Sequence, residues 1–204
     1  MKKNLAKLTL CSALAIITLT LGGIAAAQTE TKMAASAATL KRMSVFLSNF
    51  TELGFWEIES PAAMAREDLV RFGIGHNYIN NFKSRIVQKK SQNGDLAVDG
   101  KWVAESVKKY FDVGLKHGSV MESDPPYYYD GTRYHFYGAD GEAIYYARVR
   151  EAFQLPGGHI KMTGELYNAD GNDEATYPFE AVGKPYKFGG KDTWSIISLH
   201  TNTD

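Results

Sequence analysis

Residues 159–167 read HIKMTGELY. Ile160, Met162, Gly164 and Leu166 alternate there with His159, Lys161, Thr163, Glu165 and Tyr167, and a period of two belongs to a strand with one covered face and one wet face. The run opens after Pro156-Gly157-Gly158, and similar punctuation recurs at Asp130-Gly131, Asp140-Gly141, Asp170-Gly171 and Gly189-Gly190. Such residues supply the tight turns between runs rich in aromatic and β-branched side chains. The chain beyond Pro125 and Pro126 therefore predicts about six antiparallel strands in a meander.

A sheet with one covered face needs a second layer, and the preceding residues supply it. Leu40, Met43, Phe46, Leu47, Phe50 and Leu53 share one helical stripe, with Lys41, Ser44, Ser48 and Glu52 opposite and Gly54 as the stop. Ser60 and Pro61 announce a second helix that continues through Ile86, its apolar side being Leu69, Phe72, Ile79, Phe82 and Ile86. SQNGDLAVDG (91–100) is a turn-rich link with room for a short strand at Leu96 to Val98, and KWVAESVKKYFDVGL (101–115) is a third helix burying Val103, Val107, Tyr110 and Phe111. The expected architecture is α+β: about three N-terminal helices packed on one face of a curved antiparallel meander sheet of about six strands.

Pleating also sorts the side chains of the strands. Tyr134, Phe136, Tyr145, Val149 and Phe153 are expected to point inward. Arg133, His135, Tyr137, Tyr146, Arg148, Arg150, His159, Lys161 and Tyr167 are then expected to face outward. Two consequences are open: an interface, because tyrosine and arginine together supply area, hydrogen bonds and cation–π contacts, or a solvated face whose cross-strand pairs merely stabilise the sheet. Arg133, His135, Tyr137, Tyr146, Arg148, Arg150 and Lys161 are the candidate binding residues.

The first residues carry an address. MKKNLAK, an apolar run from Leu8 and small residues around Ala25 and Ala27 have the order of a secretory signal peptide, residues 1–27, with cleavage after Ala27. A lipid anchor on Cys11 is disfavoured because Leu10 precedes it. Residues 28–38 are small and polar and predict a flexible leader, leaving 39–204 as a single α+β domain in the periplasm or outside the cell. Loss of the signal removes three lysines and no acid from 23 basic and 23 acidic residues. The net charge becomes −3, a balance with no general affinity for nucleic acid. Cys11, the one cysteine of the chain, leaves with the signal, so no disulfide, thiolate nucleophile or cysteine metal site is expected, and no membrane span remains.

Signatures of chemistry are sparse. The chain has no HExxH, GxSxG or GxxxxGKS motif and no histidine pair at metal spacing, so no metal or cofactor is expected. NADGNDE (168–174) is similar to a calcium loop, but Asp173 occupies the obligatory glycine position and Phe179 the twelfth. Glu57 and Glu59 can form a carboxylate pair or simply face water. His76 falls beside the apolar stripe of the second helix, where packing and base roles both remain open. Asn77, Asn80 and Asn81 either bond to neighbouring backbone or line a pocket.

KRMSVFLSNFTELGFWEIE (41–59), LVRFGIGHNYINNF (69–82) and VKKYF (107–111) resemble a group of small exported bacterial proteins and lipoproteins to which no activity is assigned. Helices followed by a curved meander ending in DTWSIISLH (192–200) also resemble the cone-shaped nuclear-transport-factor-like superfamily, although that fold interleaves a helix among its strands. That superfamily includes enzymes and binding modules, so the resemblance does not choose between them. Two classes of function follow. One is a non-catalytic envelope module that uses the outer sheet face, or a pocket between sheet and helices, for an anionic or glycan-like partner. The other is a small envelope hydrolase or isomerase with His76 or His135 as base.

Overall fold

The alternation at 159–167 is realised as a strand in which Ile160, Met162 and Leu166 are buried and the residues between them are partly exposed. A computed structural model describes residues 30–138, 144–168 and 176–202. The expected signal peptide with its cleavage site and Cys11, the Asp140-Gly141 and Asp170-Gly171 turns, and residues 169–174 of the calcium-like stretch lie outside the described residues. The elements in chain order are β1 (Thr31–Lys32), α1 (Ala37–Thr51), α2 (Arg66–Asn80), α3 (Phe82–Arg85), β2 (Ile86–Ser91), β3 (Gly94–Asp99), α4 (Gly100–Phe111), β4 (Tyr128–Tyr129), β5 (Arg133–Phe136), β6 (Tyr145–Gln154), β7 (Ile160–Asn168), β8 (Thr176–Phe188) and β9 (Lys191–Thr201). The class is α+β with antiparallel sheets.

Six strands follow the two prolines, but they divide between two sheets. β6 to β9 form the meander, with β1 added at its edge, while β4 and β5 join β2 and β3 in the order β2-β3-β5-β4. The smaller sheet exists because Leu96 and Val98 lie opposite Phe136 and Tyr134 and bury with Val70, Ile74 and Val103 in a second core. The expected second helix is therefore shorter at both ends. Ser60 caps a turn through the Ala63 N–H, and the helix begins at Arg66. Asn81 departs from helical geometry (φ −134°), and the chain becomes strand at Ile86. Ile79 and Phe82, expected on a buried stripe, are exposed.

What α2 buries is two-sided. Leu69 and Phe72 enter the main core, and Val70 and Ile74 enter the second. Gly73 lets α4 approach closely: a Cβ there would stand 2.8 Å from the Val103 carbonyl oxygen. On α4, Val103, Val107, Tyr110 and Phe111 are all buried, as the spacing predicts. Phe50 of α1 is fully buried between the rings of Phe46, Phe72, Tyr110 and Phe111 at 5.2–5.7 Å. Burial of each such side chain is worth about 1.5–3 kcal/mol.

Ser44 and Ser48, expected opposite the apolar stripe, instead close an edge of the larger sheet. Their hydroxyls accept the Val149 and Ala147 N–H groups at 2.9 and 3.0 Å, and Thr51 donates to the Tyr145 carbonyl at 2.8 Å. Four helical residues rise about 6 Å and two strand residues about 6.8 Å, so serines one turn apart match alternate strand amides. Farther along the same edge, Thr31 and Lys32 pair with Gln154 and Phe153, and Ser36 caps α1. The segment expected as a leader is thus held against the sheet from Thr31 onward.

Strict alternation fails once on β6. The register shifts between Val149 and Glu151, leaving Arg150 as the extra residue. Beyond it Ala152 is buried, while Phe153, expected inward, lies on the outer face with the Lys161 Nζ 5.0 Å from its ring centroid. His135, expected outward, is buried (4% exposed) between Ala97 and Tyr128 of the flanking strands.

Candidate functional site

The seven expected binding residues do not form one surface. Arg133 and His135 belong to the smaller sheet, with Tyr137 just beyond it, whereas Tyr146, Arg148, Arg150 and Lys161 belong to the larger one. The cations are also neutralised locally. Glu165 takes Arg148 at 3.4 Å and Arg150 at 2.5 Å, Lys161 contacts Glu30 and lies 3.7 Å from Glu180, and Arg133 holds Asp99 at 2.6 Å. Arg148 additionally lies over the Tyr167 ring at 4.4 Å. These are the cross-strand pairs that stabilise a sheet.

A different group of cations has no carboxylate partner among the described residues. α1, α4 and the β8–β9 hairpin enclose a groove of about 770 Å³ lined by Lys41, Arg42, Val45, Phe46, Lys109, Tyr110, Phe188, Lys191 and Trp194, with Glu105 and Asp192 as its acids. Gly189 and Gly190, both at positive φ, turn the hairpin, and Trp194 packs on α1 against Phe46 and Arg42. Arg42 lies over Trp194 at 5.3 Å from the ring centroid and donates to the Asp192 carbonyl at 3.0 Å. Glu105 is engaged by Arg85 at 2.9 Å and Asp192 by Lys187 at 3.7 Å. Lys41, Lys109 and Lys191 have no carboxylate within ion-pair distance among the described residues.

At its inner end the groove meets a smaller cavity of about 240 Å³, sharing Val45, Asn49, Glu105, Lys109 and Tyr110 and adding His76, Asn80, Asn81, Arg85 and Ser106. The close α2–α4 contact at Gly73 explains this cluster. Gly73, His76 and Asn77 share a face of α2, as Val103, Ser106 and Tyr110 do of α4. His76 Nδ1 is 3.0 Å from the Ser106 hydroxyl, and His76 Nε2 is 3.2 Å from the Tyr110 hydroxyl. Asn77 Nδ2 donates to the Gly73 and Trp102 carbonyls and lies 3.0 Å from the Ser106 hydroxyl, while Asn77 Oδ1 accepts from Arg85 at 3.2 Å. Lys109 Nζ donates to the Tyr110 hydroxyl at 3.1 Å.

Burial dominates the titration of this cluster. It pushes His76 down to about 3, with the charges of Lys109 and Arg85 acting in the same direction. It raises Tyr110, which stays a phenol, and it lowers Lys109, where the Arg85 guanidinium adds to the effect. His76 is thus neutral with both nitrogens engaged. Of the asparagines, Asn77 bonds to backbone, and Asn80 and Asn81 line the cavity.

His135 has a carboxylate in reach, since its Nε2 lies 2.8 Å from Asp130 Oδ2, but its Nδ1 has no partner among the described residues and it lines none of these cavities. The imidazole and two backbone amides hold Asp130 well below the usual carboxylate range. Glu57 contacts exposed His200 beside an open cavity of about 450 Å³ that Glu59 also lines. A further cavity of about 430 Å³ between the two cores is lined by Trp56, Tyr78, Ile79, Tyr127, Phe136 and Tyr137. Among the described residues, no group of three or more His, Cys, Asp or Glu side chains is placed to hold a metal, and no helix is long and apolar enough to cross a membrane.

No single sequence feature picked out Lys41, Lys109, Lys191 and Trp194, because they come from three distant segments. The chain matches no protein-family model, no curated protein and no solved structure.

Proposed function

We propose that the chain is a non-catalytic binding module of an exported protein, and that it takes an anionic ligand with an apolar portion into the groove between α1, α4 and the β8–β9 hairpin. The observation that carries this reading is the contrast in charge pairing. The outer sheet cations are compensated by Glu165, Glu30 and Glu180, whereas Lys41, Lys109 and Lys191 surround an apolar floor of Val45, Phe46, Phe188 and Trp194 without carboxylate partners among the described residues. Cations not held in direct ion pairs around a concave apolar surface favour a ligand that brings both a negative charge and a hydrophobic body.

Of the two partner classes expected from the sequence, an anionic partner fits better than a glycan-like one. Sugar rings stack on an open aromatic face, and here the Arg42 guanidinium already lies over Trp194. The enzyme alternative needs a poised base. Burial makes His76 a weak base and both its ring nitrogens are bonded, and His135 lies outside the cavities described, which favours the binding reading.

Calorimetric titration with decyl phosphate below its micellar concentration tests the reading. One saturable site is expected, weakened about fivefold by each of Lys41→Ser and Lys191→Ser and by added salt. Decyltrimethylammonium should not bind. Absence of binding by the wild type, or wild-type affinity in both lysine variants, would refute the groove as the site.

A further inference from the structure

The hydrogen bonds behind the groove have a fixed direction, and that direction ends at Tyr110. Asn77 is the starting point: two backbone carbonyls, Gly73 O at 2.7 Å and Trp102 O at 3.1 Å, face its Nδ2 and identify the amide nitrogen, while Arg85 donates to its Oδ1. An amide nitrogen cannot accept, so the Ser106 hydroxyl 3.0 Å away cannot send its hydrogen there, and that hydrogen must go elsewhere. Its remaining partner among the described residues is His76 Nδ1 at 3.0 Å. His76 then carries its proton on Nε2 and donates to the Tyr110 oxygen at 3.2 Å. Lys109 donates to the same oxygen at 3.1 Å. With two donors on its oxygen and no acceptor among its partners in the described residues, the Tyr110 O–H is left for the cavity that Tyr110 and Lys109 line together.

We infer that the inner cavity is an oxyanion subsite, in which the Tyr110 hydroxyl and the Lys109 ammonium receive the carboxylate, sulfate or phosphate head of the ligand whose apolar part lies along Trp194 and Phe46. This rests on the groove reading above and adds the chemistry of the head group and its place. The subsite holds Arg85 as a second cation, and Glu105, the acid beside it, is already paired to that guanidinium. A neutral alcohol or amide head would use the hydroxyl but gain nothing from the ammonium, and a cationic head would be repelled. His76, Ser106 and Asn77 are positioning residues: they act by orienting the Tyr110 proton.

Two measurements test this. In the first, decanoate, decyl sulfate, decyl phosphate and n-decanol are titrated into wild type, Tyr110→Phe and Lys41→Ser. Tyr110→Phe keeps the ring and should weaken all three anions about tenfold or more and n-decanol distinctly less. If Lys41→Ser weakens the anions and Tyr110→Phe does not, the groove binds them but the head sits at its outer lysines, and the subsite is overturned alone. If no anion binds the wild type, the groove reading itself fails. In the second, ¹⁵N NMR of the ligand-free protein reads the His76 tautomer. A proton on Nε2 is expected; a proton on Nδ1 would reverse the chain, make Tyr110 donate to His76, and overturn the inference whatever the variants do.

Discussion

His76 Nε2 and the Tyr110 hydroxyl lie 3.2 Å apart on two helices that Gly73 allows to touch. This contact joins a buried, uncharged imidazole to a phenol on the wall of the groove.

The stability consequence is a pH dependence. In the unfolded chain the imidazole titrates near 6.5, and burial lowers it to about 3 in the folded protein. Between those values the unfolded chain holds a proton that the folded chain refuses. Stability is therefore complete above about pH 6.5 and falls as the pH drops toward 3, by up to ~1.4 kcal/mol per pH unit. Urea denaturation at several pH values should show this slope in the wild type and a flatter one in His76→Gln.

Phe50 is fully buried among four aromatic rings where α1, α2 and α4 meet. Phe50→Ala should cost about 3–5 kcal/mol, read as a lower urea midpoint with little change in slope. A loss below about 1 kcal/mol would mean that the three helices do not share one core.

Gly164 marks the pairing beside the β6 bulge. A Cβ at this position would stand 2.0 Å from the Arg148 carbonyl oxygen, a backbone atom that cannot swing aside. Gly164→Ala should destabilise by about 2–3 kcal/mol, and thermal denaturation checks it. An unchanged melting temperature in that variant would contradict the register of β6 on β7.

On the outer face, replacing Arg148, Arg150 and Lys161 together by Ser should leave decyl phosphate affinity unchanged and reduce stability by no more than about 1 kcal/mol per ion pair. Retention of the wild type, but not the triple variant, on an anionic glycan fraction would restore that face as a binding surface.

The sequence carried the α+β class, the apolar side of α4 and the strand at 160–168 clearly, because each rests on local periodicity and turn residues. It did not carry the division into two sheets. Ile79, Phe82 and Ile86 continue a helical spacing, and nothing local says that the chain reverses at Asn81; the pairing of Leu96 and Val98 with Phe136 and Tyr134 is a long-range contact. Strict alternation misassigns Phe153 for a similar reason, since one bulged residue inverts the faces that follow it. The serines of α1 are short polar side chains that look solvent-facing until the strand edge they satisfy is known. Arg148 and Lys161 could be placed on a strand face but not matched with Glu165, Glu30 and Glu180, and the groove lysines came together only through tertiary packing.

On the proposed reading the ligand meets Lys41, Lys109 and Lys191, which have no carboxylate partner among the described residues, and not the cations of the sheet's outer face. The most direct test of that reading is an NMR titration of the protein with decyl phosphate, following backbone amides and tryptophan indoles. Shifts concentrated at Lys41, Lys109, Tyr110, Lys191 and Trp194 are the expected result. Shifts concentrated at Tyr146, Arg148, Lys161 and Tyr167, or none at saturating ligand, would contradict it.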